Sequence, residues 1–154
     1  LKNCTIPLEF VFRLEEVKMS AVQYTGDRAL IRYRGKPLPL VYVEHELGLI
    51  DKKLSDVIDN KSHEIMNVLV VNVDGKLYGA IIKELSDITS SYSKVDTVFS
   101  DREGILGTIT IDEKIITVLN IHTLVGHVHG HLSFSNMDNS IGQLNEHHSD
   151  IKAA

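Results

Sequence analysis

Cysteine is nearly absent from this sequence, and its scarcity limits the chemistry that the chain can perform. The single thiol, Cys4, cannot form an internal disulfide and offers no pair of thiolates to a metal. A lone cysteine is typical of proteins kept in a reducing compartment, so we expect a cytoplasmic protein. Cys4 has no histidine near it in sequence, and the serines lack the turn motif of nucleophilic hydrolases. The sequence therefore predicts no nucleophilic active site.

Long apolar runs and a basic surplus are missing as well. No apolar run reaches the roughly 18 residues of a membrane-spanning helix, and no basic-then-apolar leader opens the chain. Because the first residue is Leu rather than Met, we expect an excised domain. The 16 lysines and arginines are scattered and are outnumbered by 21 aspartates and glutamates, which argues against nucleic acid. Proteins are the expected partners, with no direct insertion into a membrane.

A phosphate-binding loop is not present either. The segment Gly104-Ile105-Leu106-Gly107 has neither the lysine nor the following helix that such a loop requires. With no catalytic constellation in the sequence, we predict a protein that is not an enzyme and carries no cofactor.

Two apolar-rich runs meet at a turn around residues 34–36. The pattern of the rest of the chain predicts mostly β-strands. From 31 to 34 an apolar or aromatic residue alternates with arginine, which predicts one core face and one cationic face. Gly35-Lys36 is the predicted turn. Pro37 and Pro39 lack a backbone donor, so the return strand should lie at a sheet edge or a barrel corner.

The sequence also predicts two β-hairpins, from turn residues that separate β-rich runs. Asp74-Gly75 separates two β-rich runs and predicts a two-residue type I′ turn, because both central residues must accept a positive φ. Gly79 inside the second of these strands predicts a bend or bulge. A second hairpin is predicted over 105–111 and 115–121, around a turn at 112–114.

The remaining segments are expected to be short or irregular. A strand should resume after a turn at 8–11 and run to Val17, and 25–27 should turn the chain. Residues 44–49 allow one helical turn closed by Gly48. The polar stretch 50–64 is interpreted as a linker, and the serine-rich stretch 86–101 as a surface excursion.

The last segment is rich in histidine and poor in apolar residues. We divide the chain into a domain over 1–126 and a flexible tail or linker over 127–154. Alternate imidazoles in His127-Val128-His129-Gly130-His131 would fall on one side of an extended chain and could share a metal ion. Because the motif holds no carboxylate and its surroundings are polar and flexible, we expect no native metal site there.

Taken together, five ordered pieces of the sequence resemble the CheW-like domain of bacterial chemotaxis, over about residues 6–125. No single piece is specific, but their order is. The pieces are Pro7-Leu8 leading to Val11-Phe12-Arg13-Leu14-Glu15, the turn Tyr33-Arg34-Gly35-Lys36-Pro37-Leu38-Pro39-Leu40, the hairpin Val70-Val71-Asn72-Val73-Asp74-Gly75 with Gly79, the segment Gly104-Ile105-Leu106-Gly107-Thr108-Ile109, and the segment Val118-Leu119-Asn120-Ile121.

The resemblance implies an all-β fold of two SH3-like five-stranded barrels packed side by side, with a boundary near 50–64. It also implies a scaffold without an active site. The Tyr-Arg-Gly turn and the Arg-Leu-Glu before it are more similar to the C-terminal regulatory domain of the histidine kinase CheA than to a free-standing CheW. That reading implies a CheW adaptor and the cytoplasmic tip of a chemoreceptor as partners, at membrane-associated receptor arrays.

Two alternatives remain open at this point. One is a free-standing CheW coupling protein, which would contact receptors directly. The other is an unrelated β-barrel that binds a small ligand or a metal, which an ordered histidine segment would favour. The strand that usually opens the family is missing from this sequence, so an open edge, a homodimer or strand exchange is also expected.

The predicted binding residues lie around the first turn. Arg34, pinned beside Gly35, presents a planar guanidinium that suits a protein-binding edge, although it could also form a local ion pair with Glu15 or Glu16. Arg13 and Glu15 are interpreted as part of a charged edge. Apolar residues at the barrel ends are predicted to be exposed and to pair with the adaptor, namely Leu38, Val41, Val43 and Ile105.

Overall fold

A computed structural model describes residues 3–82, 95–97 and 102–128 of the chain. The strands are β1 (Cys4–Thr5), β2 (Val11–Lys18), β3 (Gln23–Thr25), β4 (Arg28–Tyr33), β5 (Lys36–Tyr42), β6 (Ile65–Val73), β7 (Lys76–Ile81), β8 (Ile105–Ile111) and β9 (Lys114–Leu119). They form a three-stranded sheet in the order β1-β9-β8 and a six-stranded sheet in the order β2-β6-β7-β5-β4-β3. The predicted all-β class is confirmed.

Short helical segments join the strands. Two single-turn helices, α1 (Val43–Glu46) and α2 (Leu54–Val57), follow β5, and two 3₁₀ turns cover Leu8–Phe10 and Met19–Ala21. A helix over 121–128, here called α3, follows β9. Among the residues that the structure describes, no helix is long and apolar enough to cross a membrane.

Strands β5, β6 and β7 separate two hydrophobic cores. Neighbouring residues of β6 point to opposite faces, so Leu69 and Val71 lie in the first core while Val68 and Val70 lie in the second. The first core also takes in α3 through Ile121 and Leu124, and the second takes in residues of β4 and α2. Because both faces of β6 are covered, its nearly continuous apolar run is the pattern expected of a fully buried strand.

The predicted hairpin at Asp74-Gly75 is confirmed. Asp74 and Gly75 have φ of 53° and 82°, and the Gly75 amide donates to the Asn72 side chain at 3.0 Å. The second hairpin turns at Asp112 and Glu113, with φ of 47° and 64°. Strand β9 begins one residue earlier and ends two residues earlier than predicted, because the chain enters α3 at residue 121.

The first turn lies one residue before its predicted position. Arg34 and Gly35 are its central residues, with φ of 50° and 78°, and Tyr33 pairs directly with Lys36. This is type I′ geometry, which demands positive φ at both positions. The edge prediction for the two prolines is confirmed, because β5 pairs with β4 over its first half and joins β7 only from Leu40 onward.

Gly79 has a different role from the predicted bend or bulge. It pairs in regular register with Val70 on one side and Leu40 on the other. A Cβ at this position would lie 2.7 Å from a methyl carbon of Leu40 and 2.7 Å from one of Val68. Glycine is therefore required by the close packing of the second core.

The other local predictions are largely confirmed. A 3₁₀ turn precedes β2, residues 26–27 join β3 to β4, and Gly48 with φ of 67° closes α1. The stretch 50–64 is not the predicted linker, because it packs on the second core through Leu54 and Ile58 and holds the single turn α2. The structure places His127 and Val128 in α3 rather than in an extended tail. The tail beyond 128 and most of the predicted excursion at 86–101 lie outside the described residues.

Candidate protein-binding surface

Strand β2 carries an exposed surface at the end of the six-stranded sheet. Within the described residues, β2 is paired only with β6, and none of its eight residues is fully buried. The turn between β4 and β5 reaches β2 and completes this surface. Its members, called the Arg34 surface below, are Phe12, Arg13, Glu15, Tyr33 and Arg34.

Arg34 lies between two aromatic rings. Its guanidinium carbon is 5.2 Å from the centre of the Phe12 ring and 5.3 Å from the centre of the Tyr33 ring. Attraction between a cation and a ring face contributes about 0.5–1 kcal/mol at an exposed site. Arg34 is exposed, and within the described ranges its guanidinium forms no ion pair with a carboxylate.

Glu15 is held from two sides. Its Oε1 lies 3.0 Å from Nε of Arg13 and accepts a hydrogen bond from the Tyr33 hydroxyl at 3.4 Å. The sequence allowed an ion pair between Arg34 and Glu15, whereas the structure pairs Glu15 with Arg13. Arg13 is well exposed, so this pair adds little to stability and serves mainly to fix the carboxylate in place.

The structure brings together half of the predicted binding residues. Arg13, Glu15, Arg34 and Gly35 lie on or beside the Arg34 surface. The predicted exposure of Leu38, Val41 and Val43 is wrong, because their side chains are only 2%, 0% and 0% exposed. They belong to the cores on either face of β5, where no partner reaches them while the protein is folded. Ile105 is half-buried and packs against the first core.

Two exposed apolar residues on β2 are not among the binding residues predicted from the sequence. Phe12 and Leu14 are 46% and 51% exposed. Exposed apolar side chains close together on a strand are a common mark of a protein-binding site. The sequence does carry a signal for them, because Phe12 and Leu14 alternate with Arg13 and Glu15. The prediction from sequence uses only the two charged residues.

Cys4 has no chemical role that the structure supports. Its side chain is fully buried in the first core. Burial, reinforced by the negative charge of Glu44, raises the pKa of the thiol to about 11. The thiolate is the reactive form, so Cys4 is a packing residue at neutral pH.

His127 is the one histidine of the motif that the structure describes, and both of its ring nitrogens contact carboxylates. Its Nδ1 lies 3.2 Å from Oε2 of Glu46, and its Nε2 lies 3.1 Å from Oε1 of Glu103. Because the two carboxylates approach opposite nitrogens, the three side chains do not converge on one point. Over the described ranges, no group of three His, Cys, Asp or Glu residues is arranged to hold a metal ion.

The chain matches a family model and is similar in fold to solved structures. A model of the CheW-like domain matches residues 2–129. No curated protein matches the sequence. The fold is similar to the crystal structure of the scaffolding protein TtCheW from Thermoanaerobacter tengcongensis, with a TM-score of 0.51 at 17% identity over 75% of this chain and 79% of that chain. The all-β fold implied by the resemblance is thereby confirmed, and the chain belongs to the CheW-like domain family of chemotaxis signalling.

Proposed function

We propose that this domain is a non-catalytic scaffold that couples a chemotaxis histidine kinase to chemoreceptors, and that it binds a protein partner through the Arg34 surface. The observation that carries this proposal is the pairing of a fixed cation with exposed apolar groups on an edge strand. Membership of the CheW-like family supports the scaffold role and argues against an unrelated ligand-binding barrel.

The Arg34 surface suits a partner of defined chemistry. The Arg34 guanidinium offers N–H donors to a carboxylate or a backbone carbonyl, and the Phe12 ring beside it offers apolar contact area. Aromatic and arginine side chains are also the residues most often responsible for binding energy in interfaces. We therefore expect an acidic and an apolar side chain, close together, on the partner.

A free-standing CheW adaptor is the form that the comparisons favour. The similar solved structure is of a protein described as a scaffolding protein, and the two folds overlap over most of both chains. The regulatory domain of CheA is the second candidate, and it rests on the Tyr33-Arg34-Gly35 turn and on Arg13-Leu14-Glu15. In either form we place the domain in the cytoplasm at receptor arrays.

Self-association stays a second, separate proposal. Strand β1 has only two residues, Cys4 and Thr5, and pairs with β9 along one side. A longer strand from a second copy added beside β1 would extend the three-stranded sheet. Sedimentation of the purified domain at rising concentration tests this proposal, and a strict monomer would contradict it.

The coupling proposal is tested by titration calorimetry against three separate partners from the same cell. They are the CheW adaptor, the CheA regulatory domain and the receptor tip. Binding to the adaptor supports the kinase-domain form, whereas binding to the kinase domain and the receptor tip supports the free adaptor. A well-folded protein that binds none of the three would contradict the proposal.

A further inference from the structure

His127 joins three separate parts of the chain. It lies in α3 and contacts Glu46 at the end of α1 and Glu103 in the segment before β8. About a third of its side chain is exposed, and Glu46 is more deeply buried than Glu103. These contacts connect residues that are far apart in sequence, on the side of the first core where α3 packs.

The chemistry of the bridge requires a charged imidazole. A carboxylate oxygen only accepts hydrogen bonds, so both ring nitrogens of His127 must donate if both contacts are hydrogen bonds. Neutral imidazole has one N–H, and its second nitrogen would then place a lone pair against a carboxylate oxygen about 3.1–3.2 Å away. With both carboxylates ionised, only the imidazolium can donate to Glu46 and Glu103 at once.

We infer that His127 is a proton-dependent latch, which fastens α3 to α1 and to the segment before β8 when the imidazole is charged. The two carboxylates accept the N–H groups of the charged ring, Glu46 from a largely buried position and Glu103 from an exposed one. This role is independent of the Arg34 surface and of the proposed coupling function.

The electrostatic surroundings agree with a charged His127. The hydrogen bond with Glu103 is the main cause that raises the pKa of His127 above its ordinary value of 6.5, with Glu46 acting in the same direction and partial burial opposing them. Other charged or titratable groups near the latch come from the same segments or line the groove that His127 shares with α1. They are Tyr24, Asp27, Arg28, Tyr42, His45 and Lys53 in the groove, and Arg102 beside Glu103.

The sign of the pH effect follows from the raised pKa. The folded state holds its proton more tightly than the unfolded state, so the latch contributes its full stability below the ordinary pKa. That contribution is lost as the pH rises above 6.5 and passes through the raised pKa of His127. We therefore expect the latch to open at a pH above 6.5, the ordinary pKa of histidine.

The direct test is an NMR titration of the His127 ring protons in the whole chain. We expect a pKa above the ordinary value in the wild type and a fall toward that value in Glu103→Gln. The matched control is His122, which lies on the same helix and contacts Asp74 at 3.7 Å instead of the latch acids. Its titration should be unchanged by Glu103→Gln. An ordinary pKa for His127 in the wild type would overturn the inference.

A second measurement keeps the inference testable if the NMR signals overlap. Urea unfolding at about pH 5.5 and about pH 8.5 should show a larger loss of stability at high pH in the wild type than in His127→Gln. If His127→Gln loses the same stability as the wild type over this range, the latch does not exist.

Discussion

Strands β2 and β6 are hydrogen-bonded neighbours, yet they contribute to the protein in opposite ways. They pair antiparallel from Arg13 opposite Val70 to Lys18 opposite Ile65. Strand β6 lies inside the sheet with a core on each face, and its residues 68–71 are fully buried. Strand β2 lies at the end of the same sheet and has no buried residue. Strand β2 therefore pairs with a buried strand, while its own side chains stay exposed or half-buried.

One pair of leucines makes the difference explicit. Leu14 on β2 and Leu69 on β6 are directly opposite each other, and residues directly opposite in an antiparallel pair share a face. Leu14 is 51% exposed and Leu69 is 2% exposed. The same residue type on adjoining strands therefore serves the core in one case and the surface in the other.

The largest effect is expected from truncating these two leucines in turn. Leu69→Ala should lower the free energy of unfolding by about 2–5 kcal/mol, because it removes buried methyl groups and leaves a cavity. Leu14→Ala should stay within about 1 kcal/mol of the wild type, since much of its side chain is already in water. Urea unfolding of both variants measures the contrast. Equal losses would show that β2 is part of the core.

A methyl group added to Gly79 tests the close packing behind β7. Gly79→Ala should destabilise the protein by about 1–3 kcal/mol, because the new Cβ would overlap methyl groups of Leu40 and Val68. Gly126→Ala is the matched control, because Gly126 lies in α3 with nothing within 4 Å of its added Cβ. That variant should gain about 0.5–1 kcal/mol from better helix propensity. Thermal unfolding of both variants should therefore shift in opposite directions.

The smallest effect is expected on the Arg34 surface itself. A double-mutant cycle with Phe12→Ala and Arg34→Ala should give a coupling energy of about 0.5–1 kcal/mol, the value of an exposed cation–ring contact. Urea unfolding at two salt concentrations would measure it. A coupling energy of zero would mean that the ring does not hold the guanidinium.

Local turn chemistry was the part of the fold that the sequence predicted best. Asp74-Gly75 and the turn at 25–27 depend on residues that tolerate a positive φ or favour tight turns, so their position can be read without knowledge of the rest of the chain. The Arg34-Gly35 turn was displaced by one residue, because arginine gives no local sign that it will adopt a positive φ.

Burial of β5 could not be predicted in the same way. Leu38 and Val41 on β5 and Val43 at the start of α1 are predicted to lie exposed at barrel ends, whereas the structure buries them in the two cores. Leu38 lies in the half of β5 that pairs with β4 and Val41 in the half that pairs with β7, and the burial of both depends on elements more distant in sequence. Alternation tells which residues share a face, but not how many faces the fold covers.

Residue type and turn position indicate Arg13, Glu15 and Arg34 as candidate binding residues, and the structure places these three on the Arg34 surface. Arg34, in the turn between β4 and β5, contacts Phe12 on β2. The two residues are far apart in sequence, so no local pattern indicates this contact. The contacts of His127 with Glu46 and Glu103 also join residues that are far apart in sequence. Composition alone places His127 in the flexible tail.

Partner binding through the Arg34 surface is the central claim, and Arg34→Glu tests it most directly. Titration calorimetry should be run on the wild type, on Arg34→Glu and on Lys114→Glu, a control with the same charge change in the three-stranded sheet. The partner is the one among the adaptor, the kinase domain and the receptor tip that binds the wild type. We expect Arg34→Glu alone to abolish binding while its unfolding curve stays close to that of the wild type. Unchanged affinity in Arg34→Glu, or an equal loss in Lys114→Glu, would contradict the claim.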